Sequence, residues 1–315
     1  MRPAALIENL KSEIENTCVL SLSDLEAWSF PGTALAVLGH PVSHSISPPM
    51  HNAALAEMAC TDEHFAAWKY FRFDVPPDTL PHALELLHAK KFRGVNLTLP
   101  HKILAFGLVA AVDPAAQSVG AVNTLLWTEA GWHGFNTDGH GLVTAVREDL
   151  GRELAGADII LLGAGGAARG AAVECLRQRC ASLWIANRTP ENLATLLAAL
   201  APLAGGVPLH GFSLASLPSD LPQGSILINA TSAGLRDSDP PPANLAALPP
   251  VASVFDMIYN PSQTRLLLQA LSLGLPHANG LGMLVHQGAR SLEIWSGTPM
   301  PVAAMRAAAK AAFKL

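Results

Sequence analysis

The sequence contains little charge, few cysteines and no basic run. Only 14% of its 315 residues are charged, and the formal net charge is −5. No cluster of lysine and arginine could neutralise a phosphate backbone, so we expect no nucleic-acid partner. The four cysteines form no CxxC pair and no zinc-type spacing with histidine. We therefore expect reduced thiols, as in a cytoplasmic protein.

The sequence also lacks a long apolar run near its start. Residues 1–18 include acidic side chains, which argues against a signal peptide and a membrane-spanning helix. Half of the residues are hydrophobic, and the length suits about two domains. We expect a cytoplasmic globular protein without membrane contact. Residues 1–33 are interpreted as an N-terminal extension of one or two helices that takes no part in the chemistry.

Strand-like and helix-like segments alternate from residue 34 onward. In the first part, short apolar runs predict strands and apolar residues at helical spacing predict helices. The predicted elements are strands at 34–39, 68–75 and 92–99, helices at 48–59 and 80–90, and a hairpin over 121–138.

From about residue 139 the alternation becomes regular, which predicts a parallel, doubly wound sheet. ADIILLG (157–163) is a nearly continuous apolar run, typical of a strand covered on both faces. The other predicted elements are helices at 139–150, up to about 179, at 191–200 and over 281–313, strands at 182–187, 225–230 and 252–256, and a proline-rich surface loop at 237–250.

A glycine-rich turn follows the strand at 157–163. Gly163, Gly165 and Ala168 form a GxGxxA pattern between a predicted strand and a predicted helix. Gly163 would allow a tight turn, Gly165 would let the backbone approach a pyrophosphate, and Ala168 would permit close packing of the helix on the strand. The N–H groups at the start of the helix would then hold the phosphates. The pattern predicts a dinucleotide site, with a purely structural turn as the alternative.

The end of the next strand indicates which dinucleotide is bound. Asn187, Arg188 and Thr189 stand where an NAD site usually has an acidic residue for the ribose 2′-hydroxyl. A guanidinium attracts the 2′-phosphate of NADP, which a carboxylate would repel. The sequence therefore favours NADP, although Glu191 weakens the argument. A solvated surface charge is the alternative for Arg188.

Two serines follow the first predicted strand. Ser45 and Ser47 alternate with Ile46, so in extended backbone both hydroxyls would point the same way. Two hydroxyls on one side could bind a carboxylate. Capping of the helix that follows is the alternative, and on spacing alone it is the more ordinary one.

Further polar residues lie at other predicted strand ends. Asn96 and Thr98 share one face of a strand, and Lys102 follows the proline that ends it. Asn123 and Asp138 flank the predicted hairpin. A lysine and an aspartate on neighbouring loops could form a pair for proton transfer. Their local sequence equally fits a surface salt bridge.

Taken together, these segments resemble the shikimate dehydrogenase family, in order from about residue 39 to 297. The matching blocks are GHPVSHSISPPMHN, GVNLTLPHK, GAVNTL, NTDGHG, GAGGAARG, NRT, NATSAG, DMIYNP and NGLGMLVHQGARSLEIWSG. The resemblance implies an α/β fold with a discontinuous substrate-binding domain (1–137 and 281–315) and a Rossmann-type NADP-binding domain (138–280). It also implies reversible NADPH-dependent reduction of 3-dehydroshikimate to shikimate in aromatic amino acid (chorismate) biosynthesis, by a monomer or homodimer.

The resemblance also implies roles for individual residues. Lys102 and Asp138 would form the catalytic pair, and Ser45 and Ser47 would hold the substrate carboxylate. The other substrate-binding residues would be Asn96, Thr98, Asn123, Tyr259 and Gln287. The cofactor-binding residues would be Gly163, Gly165, Gly166, Ala167, Ala168, Asn187, Arg188, Thr189, Thr231, Met257 and Gly280.

Two residues depart from the family pattern, which commonly reads NVTxP, then Phe or Tyr, then Lys. Leu97 replaces the valine at an expected core position, and His101 replaces the aromatic residue. A protonated imidazole close to Lys102 would lower the pKa of that lysine by repulsion. We expect His101 instead to point outward and to have little effect.

Other functions fit parts of the same pattern. A dehydrogenase that prefers quinate, or accepts both acids, would share the fold, but the paired serines match the shikimate type. A non-catalytic sensor would not need the lysine and the aspartate. An imine or methylene-folate dehydrogenase would need neither the paired serines nor the asparagine–threonine group. Metal binding by His40, His44 and His51 is not expected, because no acid or cysteine accompanies them at useful spacing.

Overall fold

The computed structural model describes residues 18–236 and 238–313, which fall into two compact units. The first unit contains the chain up to Thr137 and the part from Gly288 onward, and the second is Asp138–Gln287. The sequence placed the second boundary after residue 280, whereas the contacts place it inside a helix, after Gln287. Residues 1–17 of the predicted extension lie outside the described residues.

Most strands and helices begin and end within a few residues of the predicted positions. The strands are β1 (Thr33–Gly39), β2 (Trp68–Asp74), β3 (Gly94–Leu97), β4 (Ala111–Val112), β5 (Thr124–Thr128), β6 (Gly131–Phe135), β7 (Asp158–Leu162), β8 (Ser182–Ala186), β9 (Leu209–Phe212), β10 (Ile226–Asn229), β11 (Ser253–Asp256) and β12 (His277–Asn279). The helices are α1 (Leu22–Glu26), α2 (Ser47–Ala59), α3 (Leu80–Ala89), α4 (His101–Leu104), α5 (Pro114–Val119), α6 (Asp138–Leu150), α7 (Gly166–Arg177), α8 (Pro190–Leu200), α9 (Arg265–Ser272), α10 (Leu281–Ser296) and α11 (Val302–Ala312).

The sheet of the first unit is mixed, with the order β2-β1-β3-β5-β6-β4 among the described residues. β1 lies between β2 and β3 and pairs in parallel with both. Residues 34–39 are all buried, so both faces of β1 are covered, as is usual for strands paired in parallel. β5 and β6 form the antiparallel hairpin that the sequence predicted.

β2 has two chemically different faces. Phe71 and Phe73 pack edge-on against Trp28 in the apolar core of the first unit. Because side chains alternate along a strand, Tyr70 and Arg72 face the other side, toward α2 and the loop that precedes it.

β2 is also the edge strand of this sheet, and groups from outside the sheet cover its outer edge. The Asn52 side chain accepts a hydrogen bond from the N–H of Tyr70 (2.9 Å) and donates one to its carbonyl oxygen (3.0 Å). Leu20 donates its N–H to the carbonyl of Arg72 (2.9 Å) and accepts from the N–H of Asp74 (2.8 Å). From Leu20 onward the predicted N-terminal extension is therefore part of the first unit.

The second half of α10 attaches the end of the chain to the first unit. Trp295 is fully buried, and its indole N–H donates to the carbonyl oxygen of Leu125 (2.9 Å). The ring lies against Gly94, where a side chain would collide with it. Arg93 donates to the carbonyl oxygen of Trp295 (2.9 Å). These contacts with β3 and β5 explain why the first unit is discontinuous in sequence.

The sheet of the second unit is parallel throughout, as predicted. Its order is β12-β11-β10-β7-β8-β9, and every neighbouring pair runs in parallel. The chain builds outward from β7 to one edge, then crosses over and builds from β10 to the other. The loops after β7 and β10 therefore lie at the point where the strand order reverses, which is where sheets of this kind bind ligands.

Some elements of the second unit were not predicted. The short strands β9 and β12 lack a distinctive sequence pattern. The helix α9 has one, with Thr264 as its N-cap and Leu266, Leu267 and Ala270 buried, but it was not predicted. The proline-rich segment is a loop with one 3-10 turn at Leu245–Ala247. Leu245 and Leu248 are nevertheless buried in the core of the second unit, so the predicted surface loop contributes to that core.

Candidate active site

The two serines lie where β1 gives way to α2. We call residues 40–46 the serine loop; α2 begins at Ser47, with Ile46 as the N-cap residue and no side-chain cap. Ser45 Oγ accepts a hydrogen bond from the N–H of Ser47 at 3.3 Å. The prediction of extended backbone over these residues was wrong, because Ile46 has φ −94° and ψ 7°. A bend, rather than strand alternation, relates the two hydroxyls.

Tyr70 connects Ser47 to the next predicted residue. Its hydroxyl is hydrogen-bonded to the Ser47 side chain and donates to Asn96 Oδ1 at 2.8 Å. Burial raises the pKa of Tyr70 well above its usual range, so the phenol stays protonated and can act as a donor. All three residues are buried in the first unit. Tyr70 was not predicted as part of the site, since the strand composition of 68–75 already explained it.

Asn96 in turn is hydrogen-bonded to Asn123, which is hydrogen-bonded to Thr137. Its Nδ2 donates to the carbonyl oxygen of Asn123 (3.1 Å) and to Ser291 Oγ (3.0 Å). Asn123 Oδ1 accepts from the N–H of Thr137 (2.9 Å), and Asn123 Nδ2 donates to Thr137 Oγ1 (3.0 Å). Three predicted residues, Ser47, Asn96 and Asn123, therefore belong to one buried hydrogen-bonded network. Thr137 was missed, although it directly precedes the predicted Asp138.

Thr98 and Lys102 lie just beyond the end of β3. The N–H of Thr98 donates to the carbonyl oxygen of Leu38 (2.9 Å), so its backbone continues the sheet. Lys102 is on the short helix α4, and its carbonyl oxygen accepts from the N–H of Val122 (2.9 Å). Both side chains are partly exposed. Leu97, just before them, is buried as predicted.

His101 points inward, contrary to the prediction. Its side chain is fully buried, and Nε2 lies 2.8 Å from the carbonyl oxygen of Val75. Burial lowers the pKa of His101, which keeps the imidazole neutral near pH 7. A neutral ring exerts no like-charge repulsion on Lys102. The aromatic position of the family pattern is thus filled here by a buried, uncharged ring.

The remaining predicted substrate-site residues belong to the second unit. Asp138 is the first residue of α6, and Gln287 is the last residue before the chain returns to the first unit. Tyr259 follows β11, and burial raises its pKa. Lys102 and Asp138 fall in different units, so their pairing stays a prediction.

The glycine-rich turn has the geometry that the sequence predicted. We call residues 163–165 the glycine turn; it joins β7 to α7. Gly163 has φ +115°, a conformation that side chains disfavour, and its N–H donates to the carbonyl oxygen of Ala186 at 2.8 Å. Ala168 is fully buried where α7 packs on the sheet.

The start of α7 offers open space for phosphate groups. Gly165 and Gly166 are exposed, and a Cβ added at either would meet no atom within 4 Å. Ala167, the next residue, is exposed as well. Free N–H groups at an uncovered helix start attract anions, helped by the helix dipole. These residues therefore fit the pyrophosphate of a dinucleotide.

The end of β8 presents the residues predicted for the adenosine phosphate. Asn187 Nδ2 donates to the carbonyl oxygen of Thr189 at 2.9 Å, which closes a short turn before α8. Arg188, between them, is exposed. An exposed guanidinium on a turn that other residues hold together can bind a phosphate without breaking a hydrogen bond of the fold.

The loops after β10 and β11 are joined by a buried carboxyl group. Asp256 Oδ1 accepts from Asn229 Nδ2 (2.9 Å), and its Oδ2 accepts from Thr264 Oγ1 (2.6 Å). Burial raises the pKa of Asp256. Asn229 Oδ1 accepts from Thr231 Oγ1 (2.7 Å), so the predicted Thr231 is fixed through this connection.

Met257 and Gly280 lie side by side in the second unit. The N–H of Met257 donates to the carbonyl oxygen of Asn229 (3.0 Å). A side chain at Gly280 would collide with the carbonyl group of Met257, so only glycine fits there. The structure thus brings the predicted Thr231, Met257 and Gly280 to the ends of neighbouring strands β10, β11 and β12.

Two properties of the described residues bear on other functions. None of the helices described is long and apolar enough to cross a membrane. Across residues 18–236 and 238–313, no group of three or more histidine, cysteine, aspartate or glutamate side chains could hold a metal ion.

Three family profiles match the chain. The profile described as shikimate dehydrogenase substrate binding domain matches residues 37–125. The profile for shikimate / quinate 5-dehydrogenase matches residues 145–236, and that for the shikimate 5′-dehydrogenase C-terminal domain matches residues 280–310.

Individual proteins resemble the chain over most of its length. Shikimate dehydrogenase (NADP⁺) of Moorella thermoacetica is 39% identical over 279 residues, which cover 86% of this chain and 90% of the relative. The crystal structure of shikimate 5-dehydrogenase from Thermus thermophilus in complex with NADP(H) and shikimate has a TM-score of 0.76 and 35% identity, and covers 89% of this chain and 99% of its own. Ligand-free 5-ketofructose reductase of Gluconobacter sp. strain CHM43 has a TM-score of 0.78 and 31% identity, with coverage of 90% and 99%.

Proposed function

Because the chain belongs to the shikimate dehydrogenase family, we propose that it is an NADP-dependent shikimate dehydrogenase, which interconverts 3-dehydroshikimate and shikimate. The observation that carries the proposal is the buried network from Ser47 through Tyr70 and Asn96 to Asn123. Such a network holds hydroxyl and amide groups in fixed positions, which suits a small, polyhydroxylated acid. The related enzyme from Thermus thermophilus was crystallised with shikimate.

The substrate carboxylate is held by the hydroxyls of Ser45 and Ser47. A carboxylate accepts hydrogen bonds only, so each serine must donate its hydroxyl hydrogen to it, and Ser47 turns that hydrogen from Tyr70 to the carboxylate when the acid binds. The ring hydroxyls and the carbonyl group are bound by Thr98, Asn123 and Gln287, with Tyr259 beside the ring. Asn96, whose amide is already hydrogen-bonded within the first unit, fixes the position of its neighbours as well as lining the site.

The cofactor is held mainly by backbone groups of the second unit. N–H groups at the start of α7, beyond the glycine turn, bind the pyrophosphate. Arg188, with Asn187 and Thr189, binds the 2′-phosphate and so selects NADP over NAD. Thr231, Met257 and Gly280 lie near the nicotinamide end. When bound as NADPH, the cofactor supplies the hydride.

Lys102 supplies the proton. As the ketone is reduced, negative charge grows on its oxygen, and an ammonium group can both stabilise that charge and donate a proton directly or through water. Asp138 orients Lys102, keeps it charged and accepts a hydrogen bond from a substrate hydroxyl. In the oxidation of shikimate the same groups act in reverse: Lys102 enters the step as the neutral amine and receives the proton of the substrate hydroxyl.

The test is a spectrophotometric comparison of substrates and cofactors. We expect kcat/KM for shikimate with NADP⁺ to exceed that for shikimate with NAD⁺ by about tenfold or more, because losing a charge-assisted hydrogen bond to the 2′-phosphate costs at least about 1.4 kcal/mol. We expect it also to exceed kcat/KM for quinate with NADP⁺, because quinate carries an extra hydroxyl on the carbon that bears its carboxylate. A higher kcat/KM for quinate would assign the chain to the quinate branch of the family. An absence of turnover with both acids would overturn the proposal.

The setting of the enzyme follows from its sequence. We propose a cytoplasmic enzyme, active as a monomer or homodimer, that acts on a small-molecule substrate in aromatic amino acid biosynthesis and has no nucleic-acid or membrane partner. The low content of basic residues and the free cysteines Cys18, Cys60, Cys175 and Cys180 support this setting.

A further inference from the structure

Arg72 is a charged residue in an unusual position. It lies in the strand β2, and its side chain is only 5% exposed. Charged side chains are seldom buried to this extent, because the charge loses its hydration. The hydrogen bonds that it makes therefore indicate what the charge is for.

The guanidinium of Arg72 is hydrogen-bonded to the backbone of the serine loop. Its Nη1 donates to the carbonyl oxygens of Ser43 (2.7 Å) and Ser45 (2.8 Å). Two short bonds from one nitrogen to residues two apart fix the backbone of the loop immediately before Ser47. The carbonyl of Ser45 belongs to one of the two residues proposed to hold the carboxylate.

Asp74, two residues along on the same face of β2, holds the other end of the loop. Its Oδ2 accepts from the N–H of Val42 (3.2 Å), and its Oδ1 lies 2.6 Å from Nδ1 of His40. The serine loop is thus fixed at both ends by alternate side chains of one strand. Asp74 binds the end of the loop nearest β1, and Arg72 binds the end nearest the hydroxyls of Ser45 and Ser47.

A neutral donor could satisfy two carbonyl oxygens at a smaller desolvation penalty. Burial lowers the pKa of the Arg72 guanidinium, yet arginine keeps its charge at neutral pH because its ordinary pKa is so high. A buried cation is poorly screened by solvent and salt, so its field extends to the groups above it. The charge therefore adds something that the hydrogen bonds alone do not require, namely attraction for an anion.

We infer that Arg72 is a positioning residue for the substrate carboxylate, fixing the serine loop and placing a buried positive charge behind its hydroxyls. The inference rests on the proposed function, in which Ser45 and Ser47 bind that carboxylate. It adds a third contributor to carboxylate recognition, one that acts through the loop without touching the substrate.

The test compares shikimate with its methyl ester, in which the negative charge is removed. In Arg72→Met, a neutral variant of similar length, KM for shikimate should rise about tenfold or more. KM for the methyl ester should change by less than about threefold, as should kcat for both substrates and KM for NADP⁺. A merely structural role would weaken both substrates alike.

Arg72→Lys keeps the charge but loses the paired geometry of the two carbonyl bonds. We expect it to retain the wild-type preference for the acid over the ester to within about threefold, even where kcat falls. It also keeps the test decisive if Arg72→Met does not fold, as judged by its thermal unfolding. Ser43→Ala, which leaves the carbonyl oxygen in place, is the matched control and should match the wild type.

The outcomes separate this inference from the proposed function. Wild-type protein that does not oxidise shikimate would overturn the proposed function. Active wild type, with an unchanged acid-to-ester preference in Arg72→Met or a lost preference in Arg72→Lys, would overturn the role of Arg72 alone.

Discussion

The serine loop and the glycine turn each follow the first strand of a parallel segment, yet they are built in opposite ways. Side chains of a neighbouring strand fix the serine loop, through Arg72 and Asp74. The glycine turn is fixed by a backbone hydrogen bond, which the N–H of Gly163 donates to the carbonyl oxygen of Ala186 at the end of β8. Under the proposed function, side chains would recognise the small acid, whereas the pyrophosphate would be recognised where side chains are missing.

The largest effect on activity should come from a side chain of the proposed substrate site. Lys102→Ala should lower kcat by about 10²- to 10⁴-fold, because the growing charge on the substrate oxygen loses its proton donor. Steady-state rates at saturating 3-dehydroshikimate and NADPH measure this. Lys310→Ala, an exposed lysine on α11 of the same unit, is the control and should leave kcat unchanged. A Lys102→Ala enzyme with kcat within about threefold of wild type would remove Lys102 from the chemistry.

The buried side chains of the first unit should also make its stability depend on pH. Burial lowers the pKa of His51 to about 4, below the ordinary value of about 6.5. Between these values the unfolded chain binds a proton that the folded chain does not. The free energy of unfolding should therefore fall by up to about 3 kcal/mol as the pH drops from about 7 to about 4.

Urea unfolding at a series of pH values checks this expectation. His51→Gln should flatten the slope by the contribution of that one group. Equal slopes in wild type and His51→Gln would show that His51 does not titrate as its burial predicts.

The glycine turn should respond to added atoms in two distinct ways. At Gly163, with φ +115°, alanine should destabilise the fold by about 1 to 3 kcal/mol, because the new Cβ is strained and lies 3.1 Å from the carbonyl oxygen of Ala230. At Gly165, where a Cβ meets no protein atom within 4 Å, alanine should leave stability intact and raise KM for NADP⁺. Urea unfolding and cofactor titration of both variants sharpen the contrast. A Gly163→Ala protein as stable as the wild type would contradict it.

The smallest effect should come from the exposed Arg188. Arg188→Leu should reduce the preference for NADP⁺ over NAD⁺ by about tenfold, since the substitution removes one charged group that binds a solvated phosphate. The measurement is the ratio of kcat/KM for the two cofactors. Arg152→Leu, another exposed arginine of the second unit, should leave that ratio unchanged. An unaltered ratio in Arg188→Leu would place cofactor selection elsewhere.

Most of the second unit could be predicted from the sequence, because local pattern determines it. A continuous apolar run such as 157–163 and a glycine pattern report directly on a buried strand and a tight turn. β9 and β12 escaped prediction because short strands at a sheet margin need no distinctive composition. α9 was missed although its N-cap Thr264 and its spaced apolar residues are ordinary helix signals.

The first unit was harder to predict, since its site depends on contacts between distant residues. The inward position of His101 is set by the carbonyl group of Val75, which the sequence near His101 does not reveal. Likewise, Arg72 matters only because β2 lies beside the serine loop, although Arg72 follows Ser45 by 27 residues in the chain. Thr137 was overlooked because the neighbouring Asp138 already explained the motif. Polar residues that act through a network carry no local signature.

The covered edge of β2 has a consequence for self-association. An edge strand with free N–H and C=O groups can recruit a strand from another molecule, and repeated addition leads to aggregates. Here the Asn52 side chain occupies the N–H and C=O groups of Tyr70, and the Leu20 backbone occupies the C=O group of Arg72 and the N–H group of Asp74. These contacts oppose intermolecular pairing along the part of β2 that carries Arg72, without the presence of a further strand.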